Sequence, residues 1–147
     1  NRCSCSETII RKYRGKISGP LLDRIDLHVE VPALSYRELN REKEAEDSAT
    51  IRERVWQCRK IQMRRFREEP GVYANSQMSN RLTAQYCKLD KTSSLILEKS
   101  LTKLGLSGRA YHRILKLSRT IADMAGQKHI GSAHVAEAVH YCRLRQP

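Results

Sequence analysis

The sequence predicts a mainly α protein in which a helical domain follows a short α/β stub. From residue 80 onward, amphipathic helical patterns alternate with capping residues and glycines, as in a compact four-helix unit. Ile25–Val31 carries the only clear strand pattern. We therefore divide the chain into a stub over 1–34, a charged linker over 35–47 and a helical domain over 48–147.

The stub opens with two helical pieces. Ser6 is placed to cap a helix over Glu7–Arg14, and Gly15 is placed to end it. Pro20 is tolerated at the first position of a helix, so Ser18–Arg24 is predicted to form a helical turn.

A strand is predicted directly after this turn. Apolar and polar residues alternate strictly along Ile25–Val31, and Pro32 closes the run. Such a strand needs neighbours to complete its hydrogen-bond ladder, and the rest of the chain offers almost none. The strand is therefore expected to stand without its sheet.

The helical domain begins with a long basic helix. Asp47 or Ser48 is placed to cap a helix over Ala49–Arg67, which Pro70 ends. Arginine and lysine cover most of its surface. Its thin apolar stripe consists of Ile51, Val55, Cys58, Met63 and Phe66.

Four shorter helices follow with clear boundaries. They are predicted over Asn80–Cys87, Lys91–Leu104, Gly108–Ala125 and Ala133–Arg143. The residues placed to cap them are Ser79, Asp90, Ser107 and Ser132, and two glycine stops are Gly105 and Gly126. The second of these helices is expected to bury one side, formed by Leu95, Leu97, Leu101 and Leu104.

The net charge of the chain indicates which classes of partner it can attract. The chain of 147 residues has 28 Lys and Arg against 16 Asp and Glu, a formal net charge of +12. Such a field attracts nucleic acid, nucleotide phosphates or acidic surfaces, although charge alone does not exclude an ordinary solvated basic surface. No apolar run approaches the ~20 residues of a membrane span, so no membrane partner is expected. The chain starts without methionine or a signal-peptide pattern and is interpreted as a piece of a longer cytoplasmic protein.

Two arginines are candidates for binding an anion. Arg109 lies in the first turn of its helix, where the helix dipole disfavours a cation, so its placement favours an anionic partner. The alternative is an ordinary amphipathic helix with a solvated basic face. Arg24 lies between two leucines and the strand, flanked by Asp23 and Asp26. Its alternative is a local ion pair with one of these carboxylates.

The cysteines leave a metal site open. Five cysteines at scattered spacings indicate no disulfide framework. Cys3 and Cys5 are close enough to share a zinc ion, but two thiols supply only half of a tetrahedral site.

Two long segments resemble one protein family. IRKYRGKISGPLLDRIDLHVEVP (Ile10–Pro32) resembles the segment that follows sensor 1 in bacterial Mg-chelatase-like AAA+ ATPases of the ComM/YifB competence type. LGLSGRAYHRILKLSRTIADMAG (Leu104–Gly126) resembles the C-terminal lid of the same proteins, and NSQMS (Asn75–Ser79) and HVAEAVHYCRL (His134–Leu144) also fit.

The resemblance implies an architecture and a set of functional residues. Asp26–Val31 would be the last strand of an AAA+ core, and the C-terminal helices would be the lid that closes on nucleotide. Arg24 matches the arginine finger, which reaches the ATP of a neighbouring subunit. Arg109 matches the sensor 2 arginine, with Arg113 as the other possible assignment. Cys3 and Cys5 resemble half of a cysteine pattern found after sensor 1.

The implied partners are the other subunits of a homo-hexamer and DNA, with ATP and Mg²⁺ bound in the parent protein. No G-x-x-x-x-G-K-[ST] phosphate loop occurs in the chain, so this piece alone is expected not to hydrolyse ATP. Two other hypotheses stay open: a free-standing basic helical DNA-binding module, and the motor subunit of a metal chelatase.

Overall fold

The computed structural model describes residues 4–36, 40 and 46–142. Its helices, in chain order, are α1 (Glu7–Arg14), α2 (Gly19–Leu22), α3 (Ser48–Arg65), α4 (Asn80–Tyr86), α5 (Lys91–Leu104), α6 (Gly108–Met124) and α7 (Ser132–Cys142), with a 3-10 turn at Asn75–Gln77. Among these residues no strand forms, and a single isolated bridge joins Leu89 to Ile130. The prediction of a mainly α chain is confirmed. None of the described helices combines the length and the apolar character that a membrane crossing requires.

The predicted caps explain where most helices begin. In α3, α4, α5 and α6 the side chain of the preceding residue accepts a hydrogen bond from the main-chain N–H three residues later. These caps are Asp47, Ser79, Asp90 and Ser107, with bond lengths of 2.7, 3.3, 2.7 and 3.2 Å. Gly105 and Gly126 follow α5 and α6 with φ of 59° and 66°, a left-handed conformation that glycine adopts without strain.

The start of α7 differs from the prediction. Ser132 is the first residue of the helix rather than its cap. The N–H of Gly131 donates instead to Nδ1 of His134, at 3.0 Å, so an imidazole satisfies this end of the helix.

The core lies between α6, α7 and α5, with α3 and α4 packed against α6. Residues that precede the four-helix unit also contribute, since Phe66 and Met78 are buried in the same cluster. Phe66 meets Tyr86 edge-on, with 5.6 Å between the ring centroids. The remaining buried members are Leu82, Cys87, Leu97, Ile114, Leu115, Ala122, Ile130, Val135, Ala138 and Cys142.

Part of the predicted apolar surface is exposed. In α3 the stripe is wrong at Ile51, Val55 and Met63, all of them exposed, whereas Cys58 and Phe66 are buried. Ile51 and Val55 belong to the face that is buried further along the helix, but every residue of α3 before Cys58 is exposed, so that the helix extends past its neighbours. Leu95 of α5 is likewise exposed.

The predicted strand is absent from the described residues. Residues 25–35 form no ladder, and Ile25, Leu27, Val29 and Val31 are all exposed. The physical reason is the one that the sequence raised: the alternating side chains have no second strand or sheet face to cover them. The predicted linker over 35–47 lies partly outside the described residues, at 37–39 and 41–45.

Three buried cysteines have thiol pKa values raised by burial. Burial raises the pKa of Cys87 from its ordinary value of 9.0 to about 11, and it raises the pKa of Cys58 and Cys142 as well. Cys5, by contrast, is exposed.

We expect iodoacetamide at pH 8 to modify Cys87 at least ten-fold more slowly than the exposed Cys5. The reactive species is the thiolate, and a rise of the Cys87 pKa from 9.0 to about 11 lowers its thiolate fraction about 100-fold. The greater nucleophilicity of a more basic thiolate offsets part of this loss, whereas burial lowers the rate further by restricting access. Mass spectrometry of tryptic peptides over time measures both rates, with Cys5→Ser as the control for assignment. Comparable rates at the two cysteines in the folded chain would contradict the placement of Cys87 in the core.

Candidate functional site

The stub contacts the helical domain at the first turns of α6. The carboxylate of Asp23 accepts hydrogen bonds from Oγ of Ser107 at 3.0 and 3.2 Å. Arg109 also approaches this carboxylate, with 3.6 Å between its Nη1 and the Asp23 Oδ2. One turn further, Nη1 of Arg113 donates to the carbonyl oxygens of Asp23 and Ile25, at 2.9 and 2.8 Å.

A second set of contacts ties the stub to the end of α7. The N–H of His28 donates to the carbonyl of Tyr141 at 2.8 Å. The thiol of Cys142 donates a long hydrogen bond of 3.7 Å to the carbonyl of Asp26. Residues 23–28 are therefore held at both sides, although they lack a sheet.

Ser107 explains why a carboxylate is stable at this position. Its Oγ accepts the capping hydrogen bond from the N–H of Ala110 and donates its own proton to Asp23, which uses a hydroxyl in both of its roles. The N-terminus of α6 adds the partial positive charge of the helix dipole. The junction of Ser107 and Arg109 thus stabilises an anionic oxygen.

Arg24 is exposed, and its side chain makes no hydrogen bond or ion pair with any described residue. Its neighbour Asp23 is engaged by Ser107 and Arg109 instead. The alternative of a local ion pair with Asp23 or Asp26 is therefore not formed among the described residues.

The two arginines of α6 occupy different environments. The Arg109 side chain is 58% exposed. The guanidinium of Arg113 is half-buried and bonded to main-chain carbonyls, and its Nε has no acceptor among the described residues. The structure brings both arginines to the junction, but of the two only Arg109 is exposed there.

The structure describes only one of the two cysteines that are predicted to bind zinc. Cys5 is exposed, whereas Cys3 lies outside the described residues. In the part of the chain that is described, no three His, Cys, Asp or Glu side chains come together as metal ligands. Zinc binding by Cys3 and Cys5 stays a prediction.

An ionic cluster in the interior was missed by sequence reasoning. The carboxylate of Asp123 is almost fully buried and accepts hydrogen bonds from both terminal nitrogens of Arg65. It also accepts from Nε of Arg119 at 3.0 Å and from Nδ2 of Asn75 at 2.8 Å. Asn75 in turn donates to Thr120 and accepts from Arg65.

This cluster fixes the site indirectly, because it joins α3 and the 3-10 turn to α6. Arg119 completes the arrangement by donating to the carbonyls of Gln127 and Lys128 after the helix, at 2.6 and 2.9 Å. Two signals pointed to it: the four-residue spacing of Arg119 and Asp123 on one helix, and Asn75 in the NSQMS segment. Arg65 was indistinguishable from the other arginines of α3.

A groove of about 460 Å³ lies beside this cluster, away from Arg24 and Arg109. Arg65 and Arg119 line it, but their guanidinium groups are already bonded to Asp123. The free charges of the groove come from Lys88 and Lys128 at its edge. We assign no function to it.

Comparison with known proteins places the chain in a family. Residues 45–142 match the family described as magnesium chelatase, subunit ChlI C-terminal, and residues 1–39 match magnesium chelatase, subunit ChlI.

Three relatives illustrate the similarity. The competence protein ComM of Haemophilus influenzae is 48% identical over 133 residues, which cover 90% of this chain and 25% of the relative. YifB of Escherichia coli is 37% identical over 142 residues, covering 96% of this chain and 27% of the relative. An uncharacterized protein of Mycobacterium bovis is 32% identical over 139 residues, covering 95% and 27% respectively.

The chain thus spans about a quarter of the length of the curated relatives that it matches. The C-terminal family covers about two thirds of the chain, including the whole of α3 to α7. The chain belongs to the ComM/YifB-like proteins of the magnesium chelatase ChlI family, as their C-terminal region.

Proposed function

We propose that this chain is the C-terminal part of a hexameric AAA+ ATPase that couples ATP hydrolysis to DNA remodelling in the cytoplasm. Arg24 acts as an arginine finger on the ATP of the neighbouring subunit, and Arg109 contacts the phosphates of the ATP of its own subunit. The observation that carries the proposal is that the Arg24 side chain is exposed and uncommitted while the main chain on both sides of it is anchored to α6. Free cysteines in the described core agree with a reducing compartment.

The residues at the start of α6 fit a nucleotide phosphate. ATP with Mg²⁺ supplies the phosphoryl group that is transferred to water. The carboxylate of Asp23 lies between Ser107 and Arg109, so this end of α6 already stabilises an anionic oxygen. Arg109 combines a permanent charge with several N–H donors, the chemistry that phosphate recognition requires.

Arg24 fits the finger role by its accessibility. A finger must leave its own subunit and stabilise the negative charge that spreads over the transferring phosphoryl group. A finger paired with Asp23 or Asp26 of its own chain would have to break that ion pair before it could reach a neighbouring subunit. Arg24 is free of both contacts among the described residues.

The test is ATP hydrolysis by the full-length protein with Arg24→Ala, measured beside Arg109→Ala. The proposal requires that the first variant binds ATP and does not hydrolyse it, and that the second binds ATP more weakly.

The surface of α3 supports DNA as the partner. Its exposed side carries arginine and lysine along most of the helix, and Lys60 lies over the ring of Trp56, 5.5 Å from the centroid. Arg52, Arg59 and Arg64 are exposed. Exposed cations distributed along one helix neutralise phosphates without reading bases.

We expect this chain to bind duplex DNA weakly, with a Kd of about 10⁻⁴–10⁻⁶ M that rises steeply with salt. The triple variant Arg52→Ala/Arg59→Ala/Arg64→Ala is expected to lower the slope of log K against log salt by about 2–3, roughly one for each phosphate that is no longer neutralised. Fluorescence anisotropy with a labelled duplex at several salt concentrations measures both quantities.

The matched control removes the same charge from another helix. Lys91, Lys99 and Lys103 are exposed on α5, and their triple alanine variant should change the slope less. Equal effects of the two variants would mean that net charge acts without a defined surface. Tight binding that survives high salt and prefers one sequence would favour the free-standing DNA-binding module.

The motor subunit of a metal chelatase is the second candidate, because the matching family is described by that activity. Both candidates use the same arginines. Stimulation of ATP hydrolysis by DNA, measured with the full-length protein, separates them.

A further inference from the structure

We propose that Arg113 is a positioning residue that holds residues 23–25, here called the finger segment, to α6 and thereby couples Arg24 to Arg109. This inference rests on the proposed function of Arg24. It assigns to Arg113 a role other than nucleotide contact.

The side chain of Arg113 bridges the two residues on either side of Arg24, and we call this arrangement the clamp. Nη1 of Arg113 donates to the carbonyl of Asp23 at 2.9 Å and to the carbonyl of Ile25 at 2.8 Å, and these residues stand on either side of Arg24. Both bonds are charge-assisted, which makes them stronger than bonds between neutral groups. With both flanking peptides held, the Cα of Arg24 has little freedom, and the side chain is presented from a fixed point.

One nitrogen of the Arg113 guanidinium group is buried without a hydrogen bond to the described part of the chain. Nε of Arg113 is buried and has no acceptor among the described residues, an arrangement that is unfavourable for a donor. An apolar side chain could fill this position without burying an unpaired donor. The hydrogen bonds from Arg113 to the two carbonyls beside Arg24 offset the cost of its unpaired Nε.

The same segment is attached to α6 a second time. Asp23 is bound through its carboxylate to Ser107 and Arg109, one turn before Arg113. The helix that carries Arg109 therefore also carries the finger segment. When nucleotide binding in one subunit shifts this helix, the Arg24 presented to the next subunit moves with it.

The experiment uses the full-length protein with Arg113→Ala and Arg113→Lys. Displacement of a catalytic group by about 1 Å costs on the order of 100-fold in rate, so we expect Arg113→Ala to lower kcat by roughly 10–100-fold. The Kd for ATP should stay within about two-fold, because Arg113 does not touch the nucleotide. Arg113→Lys keeps a cation that can reach a carbonyl and should recover part of the rate.

Lys116 provides a matched control on the same helix. Its Nζ donates to the carbonyl of Ser76, at 3.0 Å, without contacting the stub. Lys116→Ala removes a comparable cation-to-carbonyl bond and is expected to leave kcat unchanged.

Amide exchange adds a readout that is independent of hydrolysis. The N–H groups of Arg24, Ile25 and His28 are hydrogen-bonded in the structure. Arg113→Ala should accelerate their exchange, while Lys116→Ala should not. If Arg113→Ala fails to fold, Arg113→Lys is measured by the same two readouts, with a smaller loss of rate expected.

A double variant decides whether Arg113 acts through Arg24. Arg24→Ala/Arg113→Ala should hydrolyse ATP as slowly as Arg24→Ala alone, since a clamp without a finger has nothing to position. Losses that multiply, a wild-type rate for Arg113→Ala, or weakened ATP binding would overturn the inference and leave the finger proposal standing. A wild-type rate for Arg24→Ala would overturn both.

Discussion

Replacing Arg24 by alanine in the full-length protein is expected to lower ATP hydrolysis by about 10³–10⁵-fold, the range for arginine fingers in related phosphoryl transfers. ATP binding should remain nearly unchanged, because the finger serves the nucleotide of a neighbouring subunit. Steady-state hydrolysis measures the rate, and titration with a fluorescent ATP analogue measures the affinity.

Arg109→Ala is the informative comparison. Arg109 is expected to contact ATP within its own subunit, so its loss should weaken binding as well as hydrolysis. A variant of Arg109 that binds ATP normally would contradict its assignment as the sensor 2 residue.

Mixed hexamers test the direction of the finger. Subunits with Arg24→Ala retain an intact nucleotide site, and subunits defective in ATP binding retain an intact Arg24. Activity should reappear in the mixture, at interfaces where an intact finger faces an intact site. An Arg24→Ala protein that hydrolyses ATP at the normal rate would rule out the finger role.

Replacing Asp123 by alanine is expected to destabilise the helical domain by about 3–5 kcal/mol. The substitution leaves Arg65 and Arg119 without their shared counter-charge in a poorly solvated place, and an uncompensated buried charge costs about that much. Urea unfolding of this chain, followed by circular dichroism, measures the change.

Two further variants set the scale. Arg65→Ala should cost less, because Asp123 keeps its bonds to Arg119 and Asn75. Glu69→Gln removes the partner of an ion pair with Arg81, whose side chain is 68% exposed, and should cost about 1 kcal/mol or less. If Asp123→Ala is no more destabilising than Glu69→Gln, the buried cluster does not stabilise the fold.

The helix boundaries were predictable because their causes are local. A cap such as Asp90 bonds an N–H only three residues away, and a stop such as Gly105 depends on its own φ. Such interactions are contained in a few consecutive letters. The roles of Arg24 and Arg109 were predicted from segments that resemble a family, and they stay predictions.

Whether a side chain is buried depends on elements that are distant in the sequence, so a local pattern does not predict it. Ile51 and Val55 belong to the apolar stripe predicted along α3, yet both are exposed, as is every residue of the helix before Cys58. Ile25–Val31 alternates as a strand does, but a strand exists only through its partners.

What the sequence by itself determined is therefore the set of helices, most of their ends and the basic charge. The tertiary structure alone decided which polar groups meet. Asp123 bonds Arg65 across 58 residues, and Arg113 bonds Asp23 across 90. The sequence does not distinguish an arginine that is exposed to solvent from one that is buried in an ion pair or hydrogen-bonded to a carbonyl. The role of an arginine depends on which distant groups the packing of α6 against α3 and the stub brings within hydrogen-bond distance.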